Sequence, residues 1–203
     1  NDLSLRIFKK LNWSHNNTFN KRIKFYNYLN ILPTFRKINI YENFTDKLGS
    51  LKLEELNNKT LSNIISDSEE NLLKKCIGIV RDENWFKWRI NSCPYKKDIF
   101  IFSYKNTYLI TRIKKKGNLK ILNVIYSSAL FDSNLVAKIF DFSKRNRIDY
   151  LSYISNRNTL IDFPVPWKRK LNFAFYTNEA SVKNMLNKKF DDIQFIDSDI
   201  DYI

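Results

Sequence analysis

Three closely spaced apolar segments between residues 98 and 128 constrain the fold of this chain most strongly. The segments "DIFIFSY" (98–104), "TYLITRI" (107–113) and "LKILNVIYSS" (119–128) are rich in β-branched and aromatic residues, which favour strands. Only "KN" and "KKKGN" separate them. Because a parallel connection needs a dozen or more residues, these short connections predict an antiparallel meander.

A helix pattern and a further strand follow the meander. In "DSNLVAKIFDFSKRN" (132–146), Leu135, Ile139 and Phe142 form one helical stripe, and "IDYLSYI" (148–154) is typical of a strand. A strand that is reached through a helix is expected to lie parallel to the strand before that helix. The sequence therefore predicts an α/β fold with a mixed, mostly antiparallel sheet and one parallel β-α-β crossover, flanked by helices.

The rest of the chain alternates between shorter helix and strand patterns. Pro33 interrupts the chain between the opening unit and the main body. Ser66 or Asp67 is expected to cap a new helix start within the helical region that spans residues 51–75. The patterns predict helices at 3–11, 51–75, 84–93, 156–162 and 180–188, and strands at 18–29, 38–44, 171–177 and 193–196.

The stretch "NWFKWRINSCPY" (84–95) concentrates aromatic residues on one short helix that Pro94 ends. Trp85, Trp88 and Arg89 follow the i, i+3, i+4 spacing, so they share one helix face. We expect the two tryptophans to cover one face of the sheet. Arg89 is then left for a carboxylate, for the carbonyls at its own helix end, or for the border of a substrate groove.

The net charge of +14 and a pI near 9.7 raise nucleic acid or an anionic membrane surface as partners. Dense basic clusters occur only in "IKKKG" (113–117) and "WKRK" (167–170), and an AT-rich coding sequence would also produce a composition so rich in Asn, Ile and Lys. Both interpretations stay open. Two cysteines and the single His15 predict no disulfide scaffold and no metal site.

The sequence shows no membrane or secretion signal. No apolar run approaches the roughly 20 residues that span a bilayer. The opening "NDLSLRIFKK" has charges inside its first apolar stretch, unlike a secretory signal peptide. We therefore expect a cytoplasmic protein without a transmembrane segment.

The order of elements resembles the GNAT (N-acetyltransferase) superfamily, and two motifs strengthen this resemblance. The opening "NDLSLRIFKKLNW" is similar to the closing GNAT signature, with Asn1, Ser4, Phe8, Asn12 and Trp13 at its positions. The pattern "W..WR....P" before the first long hairpin is similar to a subset of GNAT proteins, often tandem and often encoded with cell-surface polysaccharide genes. The chain end "DSD" resembles the end of that subset.

The resemblance implies a domain division and an activity. Residues 1–36 would be the tail of a preceding GNAT-like domain or an N-terminal appendage, and residues 37–203 a GNAT-like acyltransferase domain. The implied activity is an acyl-CoA-dependent N-acyltransferase with an amino sugar or amino acid as its small-molecule acceptor, and acetyl-CoA or another acyl-CoA as its cofactor.

The resemblance also assigns site residues. The family binds the cofactor at the end of the fourth strand and the start of the next helix, where backbone N–H groups hold the pyrophosphate. No catalytic acid or base is assigned, because Phe8 stands where the family has tyrosine. The implied cofactor-binding residues are Ile125, Tyr126, Ser127, Ser128, Ala129 and Asn156, and the implied substrate-binding residues are Arg89 and Tyr176.

The phosphate-binding loop departs from the family pattern. The family has Arg/Gln-x-x-Gly-x-Gly/Ala here, whereas "YSSALFDSN" (126–134) contains no glycine, and Asp132 would place a carboxylate where phosphates bind. The loop is therefore degenerate. Two alternatives remain: a catalytically inactive GNAT-like domain that binds a ligand or partner, and a basic nucleic-acid-binding protein.

Overall fold

A computed structural model shows how the chain folds. It describes residues 6–7, 9–25, 49–70, 77–78, 81–129, 133–155, 169–175 and 177–192. The elements predicted at 38–44, 156–162 and 193–196 lie outside the described residues, as do the implied site residues Asn156 and Tyr176.

The elements whose bounds the structure describes are nine strands, four α-helices and one short 3₁₀ helix. Residues 6–7 and 9–10, within the helix predicted at 3–11, are also helical. The strands are β1 (Ser14–Phe25), β2 (Lys52–Glu54), β3 (Ile77–Gly78), β4 (Ile99–Tyr104), β5 (Thr107–Lys116), β6 (Leu119–Ser127), β7 (Tyr150–Ser155), β8 (Arg169–Phe175) and β9 (Phe190–Asp192). The helices are α1 (Asn58–Ser68), α2 (Glu83–Asn91), α3 (Ser133–Arg145) and α4 (Ala180–Lys189), and the 3₁₀ helix spans Lys96–Asp98.

Seven strands form one mixed sheet in the order β2-β4-β5-β6-β7-β1-β8. The β6–β7 pair is parallel and the other five adjacent pairs are antiparallel. β3 and β9 form a separate parallel pair. The predicted meander is β4-β5-β6, and α3 connects the parallel strands β6 and β7. The predicted α/β class and the single crossover in a mostly antiparallel sheet are therefore confirmed.

A buried polar cluster holds the end of the crossover against the start of β6. The Lys120 N–H donates to the Asp149 carboxylate at 2.7 Å, and the Asp149 N–H donates to the Lys120 carbonyl at 2.8 Å. The Lys120 ammonium also donates to the Asn146 carbonyl at 3.2 Å. These bonds satisfy groups that burial would otherwise penalise, and they fix where β7 begins relative to β6.

The sheet is covered on both faces. The cluster between the sheet and α1 and α2 contains Leu61, Ile64, Phe86, Ile90, Cys93, Ile101, Ile110, Ile125 and Tyr126. The cluster on the α3 face contains Leu51, Phe102, Leu109, Ile113, Leu122, Val124, Leu135, Ile139, Phe142, Ile148, Leu151 and Tyr153. Successive residues of β4 and β5 enter different clusters, as with Ile101 and Phe102 or Leu109 and Ile110, which is the two-residue period of a strand.

The N-terminal strand belongs to the same sheet as the rest of the chain. β1 pairs with β7 from Asn20 to Phe25 and with β8 from Ser14 to Lys21, so it lies between them. The division of the chain at residue 36 stays a prediction.

The region predicted as helical from residue 51 differs in two respects. β2 occupies Lys52–Glu54 and pairs with β4, so the prediction of helix there was wrong. The helix α1 begins only after Asn57, whose side chain accepts from the Thr60 N–H at 2.8 Å. It then continues through Ser68, so neither Ser66 nor Asp67 caps a new start.

The expectation that Trp85 and Trp88 both cover the sheet was wrong for Trp88. The buried residues of α2 are Phe86 and Ile90, and Trp85 is half-buried beside them. Trp88 is 58% exposed. Phe86 and Ile90 are four residues apart, so they lie on one side of this short helix, and that side packs against the sheet. Trp88 lies on the other side.

Because Phe86 is buried and Trp88 is exposed, substitutions at these two positions of α2 should differ strongly in their effect on stability. Phe86→Ala should lower the free energy of unfolding by about 3–5 kcal/mol, because it leaves a cavity against Tyr126 and Ile90. Trp88→Ala should change it by less than about 0.5 kcal/mol. Urea denaturation of both variants measures the difference, and a larger cost at Trp88 would contradict the described orientation of α2.

Candidate active site at the fork between β6 and β7

The parallel strands β6 and β7 are paired over only part of their length. Among the residues that the structure describes, their ladder places Ile121, Leu122 and Asn123 opposite Tyr150, Leu151 and Ser152. β6 continues to Ser127 along β5, whereas β7 continues to Ser155 along β1. The sheet therefore divides after this third pair, and we call the space between the two strand ends the fork.

A β-bulge lies on β6 beside the fork. Ile110 of β5 is opposite Tyr126, but Thr111 is opposite Val124, so Ile125 is an extra residue. Both Ile125 and Tyr126 consequently enter the cluster under α1 and α2, where strict alternation would separate them. Bulges disrupt the ladder locally and are enriched next to active sites.

Ser128, directly after β6, connects the strand end to α1. Its N–H donates to the Tyr108 carbonyl at 2.9 Å, and its hydroxyl accepts from the Tyr108 N–H at 2.8 Å. The same hydroxyl donates to the carboxylate of Asp67 in the last turn of α1. Asp67 is only 7% exposed and Ser128 is fully buried. A buried carboxylate is thus held at the open end of β6.

A second buried hydrogen bond joins the same helix to the bulge. The Ser68 hydroxyl donates to the Ile64 carbonyl at 2.6 Å and lies 2.5 Å from the Tyr126 hydroxyl. Because serine has one hydroxyl proton, Tyr126 is the donor in the bond between them. Two adjacent residues of α1 therefore bind two residues of the β6 end.

Arg81 adds a positive charge to this buried group. Its guanidinium carbon lies 5.2 Å from the ring centroid of Tyr126 and 5.8 Å from that of Trp85. Arg81 is only 5% exposed. An arginine over aromatic faces is stabilised by their electron density, more so when water is excluded.

Tyr150 lies at the closed end of the fork, opposite Ile121. Burial raises the pKa of its hydroxyl above the ordinary value. Folding therefore favours the neutral phenol, and this contribution to stability is lost as the pH rises through the folded-state pKa.

The implied cofactor residues 125–129 lie at the end of β6 beside the fork, but the side chains of the first four are buried. Ile125, Tyr126, Ser127 and Ser128 are at most 1% exposed, and Ala129 is half-buried. The Ser127 hydroxyl donates to the Ala129 carbonyl at 2.6 Å, which closes a tight turn after β6.

Arg89, the implied substrate residue, lies in the last turn of α2. Its guanidinium carbon is 5.7 Å from the ring centroid of the exposed Trp88, and the arginine itself is half-buried. The implied roles of Asn156 and Tyr176 stay predictions.

The polar residues that α1 contributes were not predicted from the sequence. A signal was present, because the buried residues of α1 are Thr60, Leu61, Ile64, Asp67 and Ser68, which share one helical face. The sequence pattern predicted Ser66 or Asp67 as a helix cap, so Asp67 was not counted among the residues of the buried face. An acidic residue on a buried stripe is unusual and needs a polar partner.

The described part of the chain contains no group of three or more His, Cys, Asp or Glu that could hold a metal ion. Over the same residues, none of the helices is long and apolar enough to span a bilayer.

Comparison with known proteins finds no matching family model, no similar curated protein and no similar solved structure.

A double-mutant cycle tests the link between α1 and the β6 end. Asp67→Ala and Ser128→Ala should each lower the free energy of unfolding. Their effects should couple by about 1.5–3 kcal/mol, because either substitution alone already removes the same hydrogen bond to a charged group.

The matched control pairs Asp67→Ala with Asn57→Ala at the other end of the same helix. These two positions are roughly 15 Å apart along α1, so their effects should add within about 0.5 kcal/mol. Equal coupling in both pairs would show that the contact between Asp67 and Ser128 is not what links the two elements.

Proposed function

We propose that the chain is an acyl-CoA-dependent N-acyltransferase of the GNAT type, acting on a small amine such as an amino sugar or amino acid. The observation that carries this proposal is the fork: a parallel pair that separates after Asn123 and Ser152, with a bulge at Ile125 on one edge. In a mostly parallel or mixed sheet, ligands bind where neighbouring strands part at their carboxyl ends.

The fork fits the extended arm of an acyl carrier. Such an arm contains amides, which can pair with a strand edge as an added strand does. The helix α3 begins at Ser133, close after the end of β6, and a helix N-terminus favours phosphate. Residues 125–129 and the start of α3 would hold the carrier, which supplies an activated acyl thioester.

Buried groups of this chain can handle the proton that the amine loses. When the amine forms a bond to the acyl carbon, the C–S bond of the thioester breaks and the CoA thiolate leaves; the amine releases a proton, which a carboxylate in hydrogen-bond reach can accept. Asp67 is the carboxylate held at the open end of β6, and its bond to Ser128 fixes its orientation. Tyr126 contributes a hydroxyl that is ordered by Ser68.

A specific observation supports the alternative of a GNAT-like domain that binds a ligand or partner without catalysis. The Ser128 N–H donates to the Tyr108 carbonyl, so it continues the β5–β6 ladder and does not point at a phosphate. Together with the absence of glycine from residues 126–134, this predicts weak cofactor binding.

The second alternative, nucleic-acid binding, has support only at one described place. Lys115 and Lys116 are exposed at the turn between β5 and β6. Side chains in the other basic cluster, 167–170, lie outside the described residues.

Acetyl-CoA titration of matched charge variants tests the proposed cofactor site. Ala129→Glu places a carboxylate beside the fork and should weaken binding at least about tenfold by repelling phosphate. Ala137→Glu adds the same charge at an exposed position of α3 and should change the Kd less than about twofold. Calorimetry gives both values.

Release of the CoA thiol in the presence of amines tests the chemistry. Asp67→Asn should lower kcat about a hundredfold while leaving the Kd for acetyl-CoA unchanged, since a general base contributes to the chemical step. Absence of acetyl-CoA binding at about 1 mM would overturn the transferase proposal. Binding without thiol release for any amine would favour the non-catalytic alternative.

A further inference from the structure

A short helical segment, residues 6–7 and 9–10, precedes β1. The Leu11 N–H donates to the Ile7 carbonyl at 3.1 Å, which closes one α-helical turn. Asn12 then has a φ of 59°, the left-handed conformation that commonly ends a helix. We call these helical residues together with Leu11 the N-terminal turn.

The N-terminal turn exposes two large apolar side chains. Ile7 is 51% exposed and Leu11 is 58% exposed. Because they are four residues apart in a helix, their side chains form one apolar face. A single exposed apolar residue is ordinary on a protein surface, whereas an apolar face beside a basic one is typical of a helix that binds at an interface.

Three basic residues share another side of the same turn. Arg6, Lys9 and Lys10 follow the i, i+3, i+4 spacing, and all three are exposed. The sequence from Arg6 to Trp13 contains no aspartate or glutamate. The turn is therefore amphipathic and positively charged, with no acidic residue of its own stretch to offset the charge.

The basic side borders the apolar face. Arg6 precedes Ile7 by one position and Lys10 precedes Leu11 by one position, which corresponds to about 100° around a helix. Long basic side chains can extend sideways from such positions, so their charged ends stay in water while their stems cover apolar surface. This arrangement suits a partner that is apolar inside and charged at its surface.

We propose that the N-terminal turn binds the surface of an anionic lipid bilayer. Ile7 and Leu11 enter the boundary between headgroups and acyl chains. Arg6, Lys9 and Lys10 lie among the lipid phosphates. The bilayer is bound at its surface and not crossed, and this binding is independent of the proposed chemistry at the fork.

A bilayer matches both sides of the turn, whereas other partners match only one. Apolar side chains gain free energy on leaving water, and each Lys or Arg close to an anionic surface adds attraction. A nucleic acid would use the cations but leave the aliphatic side chains in water, because bases stack on aromatic rings. A second copy of the chain would cover the apolar face but bring two basic sides together.

The binding should be reversible and should require anionic lipid. Two aliphatic side chains bury too little area to hold a protein of this size on a neutral bilayer, and stable attachment generally needs a second contribution. Here the second contribution is the charge of the three basic residues.

Co-sedimentation of the full chain with lipid vesicles tests the proposal. Vesicles of phosphatidylcholine with about one-third phosphatidylglycerol should bind it at least about tenfold more tightly than vesicles of phosphatidylcholine alone. Raising the salt concentration from about 0.1 M to about 0.5 M should weaken this binding several-fold by screening. Equal binding to both kinds of vesicle, or binding to neither, would overturn the proposal.

Leu11→Gln tests the apolar contribution. It should weaken binding to the anionic vesicles about fivefold to tenfold, because a leucine no longer leaves water. The urea midpoint should stay unchanged, since Leu11 is exposed. Leu53→Gln on β2 is the matched control, because Leu53 is also an exposed leucine, and it should change vesicle binding less than about twofold. Equal losses in both variants would contradict binding through the N-terminal turn.

A double charge substitution tests the basic side. Lys9→Gln combined with Lys10→Gln should weaken binding to the anionic vesicles about tenfold or more. The control combines Lys115→Gln with Lys116→Gln, which removes the same charge from exposed positions between β5 and β6. It should weaken binding less than about twofold. Equal losses would attribute the attraction to the net charge of +14 and overturn the proposal.

Two further measurements distinguish the other partners. Binding of a single-stranded oligonucleotide that Lys9 and Lys10 support, without binding to vesicles, would replace the bilayer with a nucleic acid. A dimer in analytical ultracentrifugation that Leu11→Gln converts to a monomer would show that a second copy covers the apolar face. Either result would overturn the proposal.

Discussion

The whole arrangement depends on the different lengths over which β6 pairs with its two neighbours. Against β5 it is paired from Leu119 to Ser127, but against β7 only from Ile121 to Asn123. The long antiparallel ladder holds β6 against β5 up to Ser127, whereas the short parallel ladder ends at Asn123 and β7 continues along β1. The fork and the position of every candidate residue on β6 follow from this difference in ladder length.

The helices α1 and α2 cover the β6 side of the fork, and polar contacts fix how they lie. Asp67 and Ser68 bind Ser128 and Tyr126, while Arg81 lies over the Tyr126 ring. Buried charges and hydroxyls cost free energy unless each has a partner, so a network of this kind tolerates few alternative positions of α1. A rigid support of this kind is what a binding or catalytic site needs.

The periodicity of apolar residues predicted the central elements correctly, because the structure that the local sequence favours is also the one that packing in the fold favours. The meander β4-β5-β6, the crossover helix α3 and β7 alternate apolar residues at the period of their own structure, and both faces of this sheet are covered. Prediction failed at Lys52–Glu54 and at Trp88. A three-residue strand has too little sequence to show a period, and a nine-residue helix can present either side to the sheet.

The sequence alone determined the α/β class, the order of the central elements and the lack of glycine after β6, since these depend on residue type and on spacing along the chain. Only the tertiary structure decided where β6 and β7 separate and which polar residues meet. Asp67 and Ser128 are 61 residues apart, and Arg112, Asn123 and Ser152 lie on three strands. Contacts of this kind depend on strand register, which is fixed by long-range pairing and is not encoded by the local sequence.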